Sequence, residues 1–193
     1  MNTIVLASSS PRRRKLLEKY NVKPVVVKSN IHEKINSNET IEQIAMALAF
    51  EKANQLEDRF SNGEIIIGAD TIVACNDKIL GKPKDEYDAF NMLKFLSDKE
   101  HLVLTGICII KANSNIKVID YEKTIVKFRK LSDKKIQKYI ETKEYIDKAG
   151  AYGIQGLGGV LVEWIKGCYF NVVGLPIYKL DILLERHFDI SLL

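Results

Sequence analysis

Ile65-Ile66-Ile67-Gly68-Ala69-Asp70-Thr71-Ile72-Val73-Ala74-Cys75 is the stretch on which the fold turns. From residue 64 to 75 the apolar run is almost unbroken and shows no polar–apolar alternation. A strand of that kind is covered on both faces, and such strands lie in the middle of α/β sheets. Upstream, residues 3–7 read as a short buried strand. Ser10-Pro11 then opens a helix through Tyr20, with Ser10 as N-cap and Pro11 at the first helical position. Residues 24–28 read as a second strand. Thr40 starts a long helix in which Gln43 completes a capping box, and Ile41, Ile44, Ala45, Leu48, Ala49 and Leu56 form its apolar stripe. Downstream, a turn at Asn76-Asp77-Lys78 and a corner at Gly81-Lys82-Pro83 precede a helix capped by Asp85 and ending near Ser97. Segments 101–112 and 116–128 predict an antiparallel pair turning at Asn113-Ser114-Asn115. A helix over 133–141, a glycine-rich segment 150–159, a strand near 160–165 and a helix from Pro176 to about His187 follow. The expected fold class is α/β: one domain over residues 1–193, with a mixed β-sheet flanked by helices and bent into two lobes.

The 193 residues are 46% apolar and 28% charged, which excludes a disordered, collagen-like or mucin-like chain. Cys75, Cys108 and Cys168 are odd in number, widely spaced and without a CxxC pair. That pattern argues for a reducing compartment and against a disulfide framework or zinc knuckle. No apolar stretch approaches the roughly 18 residues of a membrane span, and the N-terminus lacks the basic start of a signal peptide. A cytoplasmic location without membrane partners is expected. The net charge of +4 comes from 29 basic and 25 acidic residues scattered together. Such a balance fits a local anionic ligand at least as well as a polynucleotide.

Several residues sit where packing alone would not place them. Ser8-Ser9-Ser10-Pro11-Arg12-Arg13-Arg14-Lys15 puts four cations at a helix start, where the dipole opposes them. A bound polyanion would reverse that sign; a solvated basic turn or a Ser-Pro phosphorylation site is the alternative. Asp70 is a carboxylate inside the apolar run, so it must be paired, metal-bound, protonated or bonded to backbone at a strand end. Lys52 falls on the apolar stripe of its helix, either snorkelling to water or facing a polar cleft. Lys82 stands on a rigid corner, placed to reach a phosphate or simply to turn the chain. The segment Gly150–Gly159 allows backbone to approach a flat ligand, yet holds neither a P-loop nor a dinucleotide-binding fingerprint. His32, His101 and His187 share no ligand spacing and read as structural, and no Gly-x-Ser-x-Gly elbow supports a serine hydrolase.

Taken in order, these blocks resemble the Maf family of nucleoside triphosphate pyrophosphatases. The resemblance begins at Leu6-Ala7-Ser8-Ser9-Ser10-Pro11-Arg12-Arg13-Arg14 and continues through Glu33, Lys52-Ala53, Gly68-Ala69-Asp70-Thr71, Gly81-Lys82-Pro83 and Thr105-Gly106. It runs on through Asp147-Lys148-Ala149-Gly150-Ala151-Tyr152-Gly153-Ile154-Gln155-Gly156 and Asn171-Val172-Val173-Gly174-Leu175-Pro176. It implies hydrolysis of a nucleoside triphosphate to the monophosphate and pyrophosphate with a divalent metal, Mg²⁺ or Mn²⁺. It also implies a fold similar to the inosine triphosphate pyrophosphatases, with two lobes around a cleft. The version Ala151-Tyr152-Gly153-Ile154-Gln155-Gly156 resembles the branch acting on dTTP and UTP, where a sister branch has a Ser-Glu pair in place of Ile154-Gln155. Asn30 and His32 stand where acidic residues are common in the family.

The resemblance also implies roles. Asp70 matches the proton acceptor, and Asp70 with Glu33 would hold the metal. Arg13, Lys52 and Lys82 would hold the β and γ phosphates, with Lys52 and Lys82 counted beside Asp70 and Glu33 in the catalytic set. Ser8 and Arg13 would bind substrate, and Arg12, Thr71 and Gln155 match positions used for substrate choice. The Gln155 amide can pair with the donor–acceptor edge of uracil or thymine. A small nucleotide is the expected partner, nucleic acid is disfavoured, and a homodimer is compatible. The family's older name, septum formation inhibitor, implies the rival reading of a non-enzymatic cell-division regulator acting through nucleic acid or protein.

Overall fold

The structure is a computed structural model, and it describes residues 3–31 and 39–193. Strand β1 (Ile4–Leu6) leads into helix α1 (Pro11–Glu18), edge strand β2 (Val25–Val26) and the long helix α2 (Ile41–Glu57). The central strand β3 (Ile65–Cys75) turns into β4 (Lys78–Leu80), followed by α3 (Glu86–Leu96), β5 (Glu100–Lys111) and β6 (Lys117–Phe128). Helix α4 (Asp133–Glu141), 3₁₀ turns at Ala149–Ala151 and Leu157–Leu161, β7 (Val162–Lys166), α5 (Tyr169–Val173) and α6 (Ile177–Phe188) complete it. The strand order is β2-β1-β3-β5-β6-β7, with β4 paired to β3. β1 runs parallel to both β2 and β3, whereas the β3–β4 and β6–β7 pairs are antiparallel, so the sheet is mixed as expected.

The chain folds as two compact units. The first comprises Met1–Asp70, Thr105–Glu122 and Gly174–Leu193, and its core gathers Val5, Ala49, Leu56, Ile66, Cys108 and Ile110. The second comprises Thr71–Leu104 and Lys123–Val173, with Val73, Leu93, Leu96, Phe128, Ile136 and Leu161 in its core. β3 passes from one to the other between Asp70 and Thr71. Its Ile65, Ile66 and Ile67 are fully buried, each contributing roughly 1.5–3 kcal/mol on burial.

The capping box of α2 forms as the sequence requires: Gln43 N donates to Thr40 Oγ1 at 3.2 Å and Thr40 N donates to Gln43 Oε1 at 2.9 Å. Asp85 caps α3 by accepting from Asp88 N at 2.8 Å. Elsewhere the boundaries move. The second strand shrinks from 24–28 to Val25–Val26, since Pro24 has no N–H to give and the pair lies exposed on the sheet edge. Helix α1 stops at Glu18 instead of Tyr20, and Asn21, at φ 58°, turns the chain away. Asn76 and Asp77, both at positive φ, make a tight hairpin whose return strand β4 the turn signal alone did not announce. The strand expected near 160–165 begins at Val162, because Leu157–Leu161 winds into 3₁₀ turns first.

Candidate active site

In the first unit, α2 lies against β3 with almost nothing between them. Ala45, Ala49 and Ala53 recur every fourth residue along α2, facing Gly106 of β5 and Gly68 of β3. A Cβ on Gly68 would collide with the Ala49 carbonyl and come within 2.9 Å of Ala53, and one on Gly106 would strike the Ala45 carbonyl. This backbone-level approach carries Lys52 across to Asp70, and the Lys52 ammonium forms an ion pair with Asp70 Oδ1. Both side chains are nearly buried, at 12% exposure each, so each neutralises a charge that neither could bear alone there.

A second group of side chains gathers at the end of β1. The register Ile4↔Ile65 to Leu6↔Ile67 makes β1 parallel to β3, so Ser8 and Asp70 both lie beyond the carboxyl end of β1, Asp70 standing midway along the longer β3. Ligands of open α/β sheets bind outside that end. Ser8 is buried, and its hydroxyl accepts from Ser10 N at 3.2 Å and from an Arg13 guanidinium N–H at 3.1 Å. Arg13 Nε donates to the Gly174 carbonyl at 2.7 Å, which fixes the plane of the guanidinium. Ser10 takes the N-cap position of α1 as expected, but its side chain makes no capping bond. Pro11 at the helix start has no N–H to satisfy, and no acidic residue stands in the first turn. Arg12 lies half-buried in that same turn.

The second unit carries the remaining residues singled out in the sequence. Thr71 follows Asp70 on β3 and is half-buried, while Lys82 is exposed on its corner. Gly150 N donates to the Gly81 carbonyl at 3.1 Å, tying the lysine corner to the glycine-rich segment. Gln155 is exposed at the tip of that segment. Beneath it Glu144 accepts from Leu157 N at 2.8 Å and Gly158 N at 3.3 Å, and Tyr139 Oη donates to the same carboxylate at 3.5 Å. Tyr152, at the root of the segment, shares a 2.8 Å hydrogen bond with His101 Nε2 and packs edge-on against Phe128. Burial holds the His101 imidazole down at about 4 and pushes the Tyr152 hydroxyl up. Burial likewise pushes the Cys75 thiol up and the Cys108 thiol to about 12, which leaves neither suited to act as a nucleophile.

The Maf-like protein family model matches residues 3–187. The chain belongs to the Maf family. A dTTP/UTP pyrophosphatase of Alkaliphilus oremlandii (strain OhILAs) is 51% identical over 193 residues, spanning the whole of both chains. A dTTP/UTP pyrophosphatase of Clostridioides difficile (strain 630) is 51% identical over 189 residues, covering 98% of this chain and 97% of its own. Among solved structures, the nucleoside-triphosphatase/dITP/XTP pyrophosphatase of Mycobacterium abscessus is 12% identical, covers 96% of this chain and 95% of its own, and has a TM-score of 0.44.

Within this Maf-family chain the structure joins Lys52 to Asp70 and Ser8 to Arg13; Glu33 lies outside the described residues. Among the described residues no group of three or more His, Cys, Asp or Glu side chains converges as a metal cage would. One carboxylate suits a Mg²⁺ ion that arrives with a triphosphate, since that ion keeps several waters and binds through one or two carboxylates plus phosphates. Two contributors were not legible in the sequence. The Gly174 carbonyl that aims Arg13 is a backbone atom with no side-chain signal. Glu144 belongs to a charged stretch, Lys143-Glu144, that reads like any solvated surface. No helix among the described residues is long and apolar enough to cross a membrane.

Proposed function

We propose that this protein hydrolyses dTTP and UTP to the monophosphate and pyrophosphate. The observation that carries the reading is the nearly buried Lys52–Asp70 pair, which lies, like Ser8 and Arg13, beyond the carboxyl end of β1. The two full-length relatives support the substrate. Asp70 acts as the general base, accepting a proton from the water that attacks the α-phosphorus. Lys52 occupies Oδ1, holding the carboxylate in place. Arg13 and Lys52 take the charge of the β and γ phosphates, which grows on the leaving pyrophosphate as the bond breaks. Lys82 has the same task, Ser8 supports Arg13, and Arg12, Thr71 and Gln155 select the base. Asp70, with Glu33 as the second carboxylate, would hold Mg²⁺ or Mn²⁺. Bound there, the ion would neutralise phosphate charge.

Chromatography of the UTP reaction, without added pyrophosphatase, tests the reading. UMP and pyrophosphate are expected in equal amounts. UDP with orthophosphate would overturn it, and inactivity on a nucleotide panel combined with a DNA gel shift would favour a non-enzymatic regulator instead.

A further inference from the structure

The glycine-rich segment is held from below by two side chains, Glu144 and Tyr139. Glu144 receives two successive backbone amides, Leu157 N and Gly158 N, and the Tyr139 hydroxyl. That same hydroxyl accepts from Gly153 N at 3.2 Å, so both ends of the turn bearing Gln155 are fastened to the Glu144–Tyr139 couple. The Lys148 ammonium donates to the Glu144 carbonyl, which fixes the backbone from which the carboxylate projects. A Cβ on Gly156 would stand 2.6 Å from both Glu144 oxygens, and one on Gly153 would meet the Lys148 side chain at 2.7 Å. The Glu144 carboxylate is thus lodged directly against Gly156, and a side chain there would have to push it away from the amides it holds.

A carboxylate that collects backbone amides fixes loop geometry more firmly than a neutral acceptor, because charge-assisted bonds are roughly twice as strong. Gln155 itself is exposed on a turn, where a side chain discriminates bases only if its backbone is held still. We propose that Glu144 is a positioning residue for base selection, acting through the 153–158 turn on Gln155 without touching the nucleotide. The proposal rests on the assignment of Gln155 to the base.

The test compares kcat/KM for UTP and CTP in wild type, Glu144→Ala, Glu144→Gln, Gln155→Ala and the Glu144→Ala/Gln155→Ala pair. Glu144→Ala is expected to lower the UTP value about tenfold while leaving CTP within about twofold. Gln155→Ala should do the same, and the double variant should lose no more than either single one, because both act through one contact. Glu144→Gln keeps one acceptor oxygen and should fall between wild type and Glu144→Ala; it carries the comparison if the alanine variant shows no cooperative melt. Amide hydrogen exchange gives a readout independent of turnover, with Leu157 and Gly158 expected to exchange faster in Glu144→Ala. A UTP/CTP ratio that shrinks in Gln155→Ala but not in the Glu144 variants overturns the positioning role alone. A ratio unchanged in Gln155→Ala overturns the base assignment and this proposal with it, while leaving the pyrophosphatase reaction standing.

Discussion

At the scale of single residues, the Lys52–Asp70 pair separates charge from chemistry. Asp70→Asn keeps the shape but removes the carboxylate proposed as the base, so turnover of UTP should fall by about 10²–10⁴ while the nucleotide still binds. Turnover within about threefold of wild type would remove Asp70 from the role. Lys52→Met leaves a nearly buried carboxylate without its ammonium, a change expected to destabilise by about 3 kcal/mol. Adding Asp70→Asn to Lys52→Met removes that charge and should recover most of the lost stability in denaturant melts, yet none of the activity. A double variant as unstable as Lys52→Met would show that the lysine supports the fold through packing instead. These two residues were legible because each violates the pattern around it, a carboxylate in an apolar strand and an ammonium on an apolar stripe. Glu144 violated nothing, and only its bonds to Leu157 and Gly158 distinguish it from a surface acid.

At the scale of elements, the decisive contact is glycine against helix backbone. Gly68→Ala forces a methyl into the Ala49 carbonyl, and overpacking of this kind costs about 1–3 kcal/mol. Because α2 carries Lys52, the displacement should also lower turnover, which thermal melts and steady-state rates together will show. Gly81→Ala is the matched control: a Cβ there meets nothing within 4 Å, and the carbonyl that accepts from Gly150 is kept. Its melting temperature should stay near that of wild type, and equal losses in both variants would mean the close approach is not what matters. The same contact shows why the helices were easier to read than the short strands. α2 and α3 announce themselves through capping residues and apolar periodicity, which are local. β2 and β4 are two and three residues long and exist through the neighbours they pair with, β1 and β3, so their extent is a tertiary matter.

At the scale of the whole molecule, stability should carry a pH dependence whose source is His101. The imidazole is buried in the second unit between Phe128 and Tyr152, with ring centroids 5.0 and 5.5 Å away, and burial lowers it from 6.5 to about 4, against the opposing pull of the Lys99 backbone. The native state therefore keeps the ring neutral at pH values where the unfolded chain already binds a proton. Between about pH 6.5 and 4 the unfolded state holds more protons, so its free energy falls relative to the native state as the pH drops. The full stability is present above about pH 6.5, declines through that window and levels off below about 4. A shift of this size corresponds to about 3 kcal/mol. Acid also protonates carboxylates, so the contribution of His101 is isolated by difference. Urea unfolding from pH 7 to pH 4 should show His101→Gln losing about 3 kcal/mol less than wild type over that range, whatever its stability at pH 7. Parallel curves for the two proteins would mean that the ring takes up its proton as readily in the native fold as in the unfolded chain, with its Nε2–H then donating a hydrogen bond to the Tyr152 oxygen.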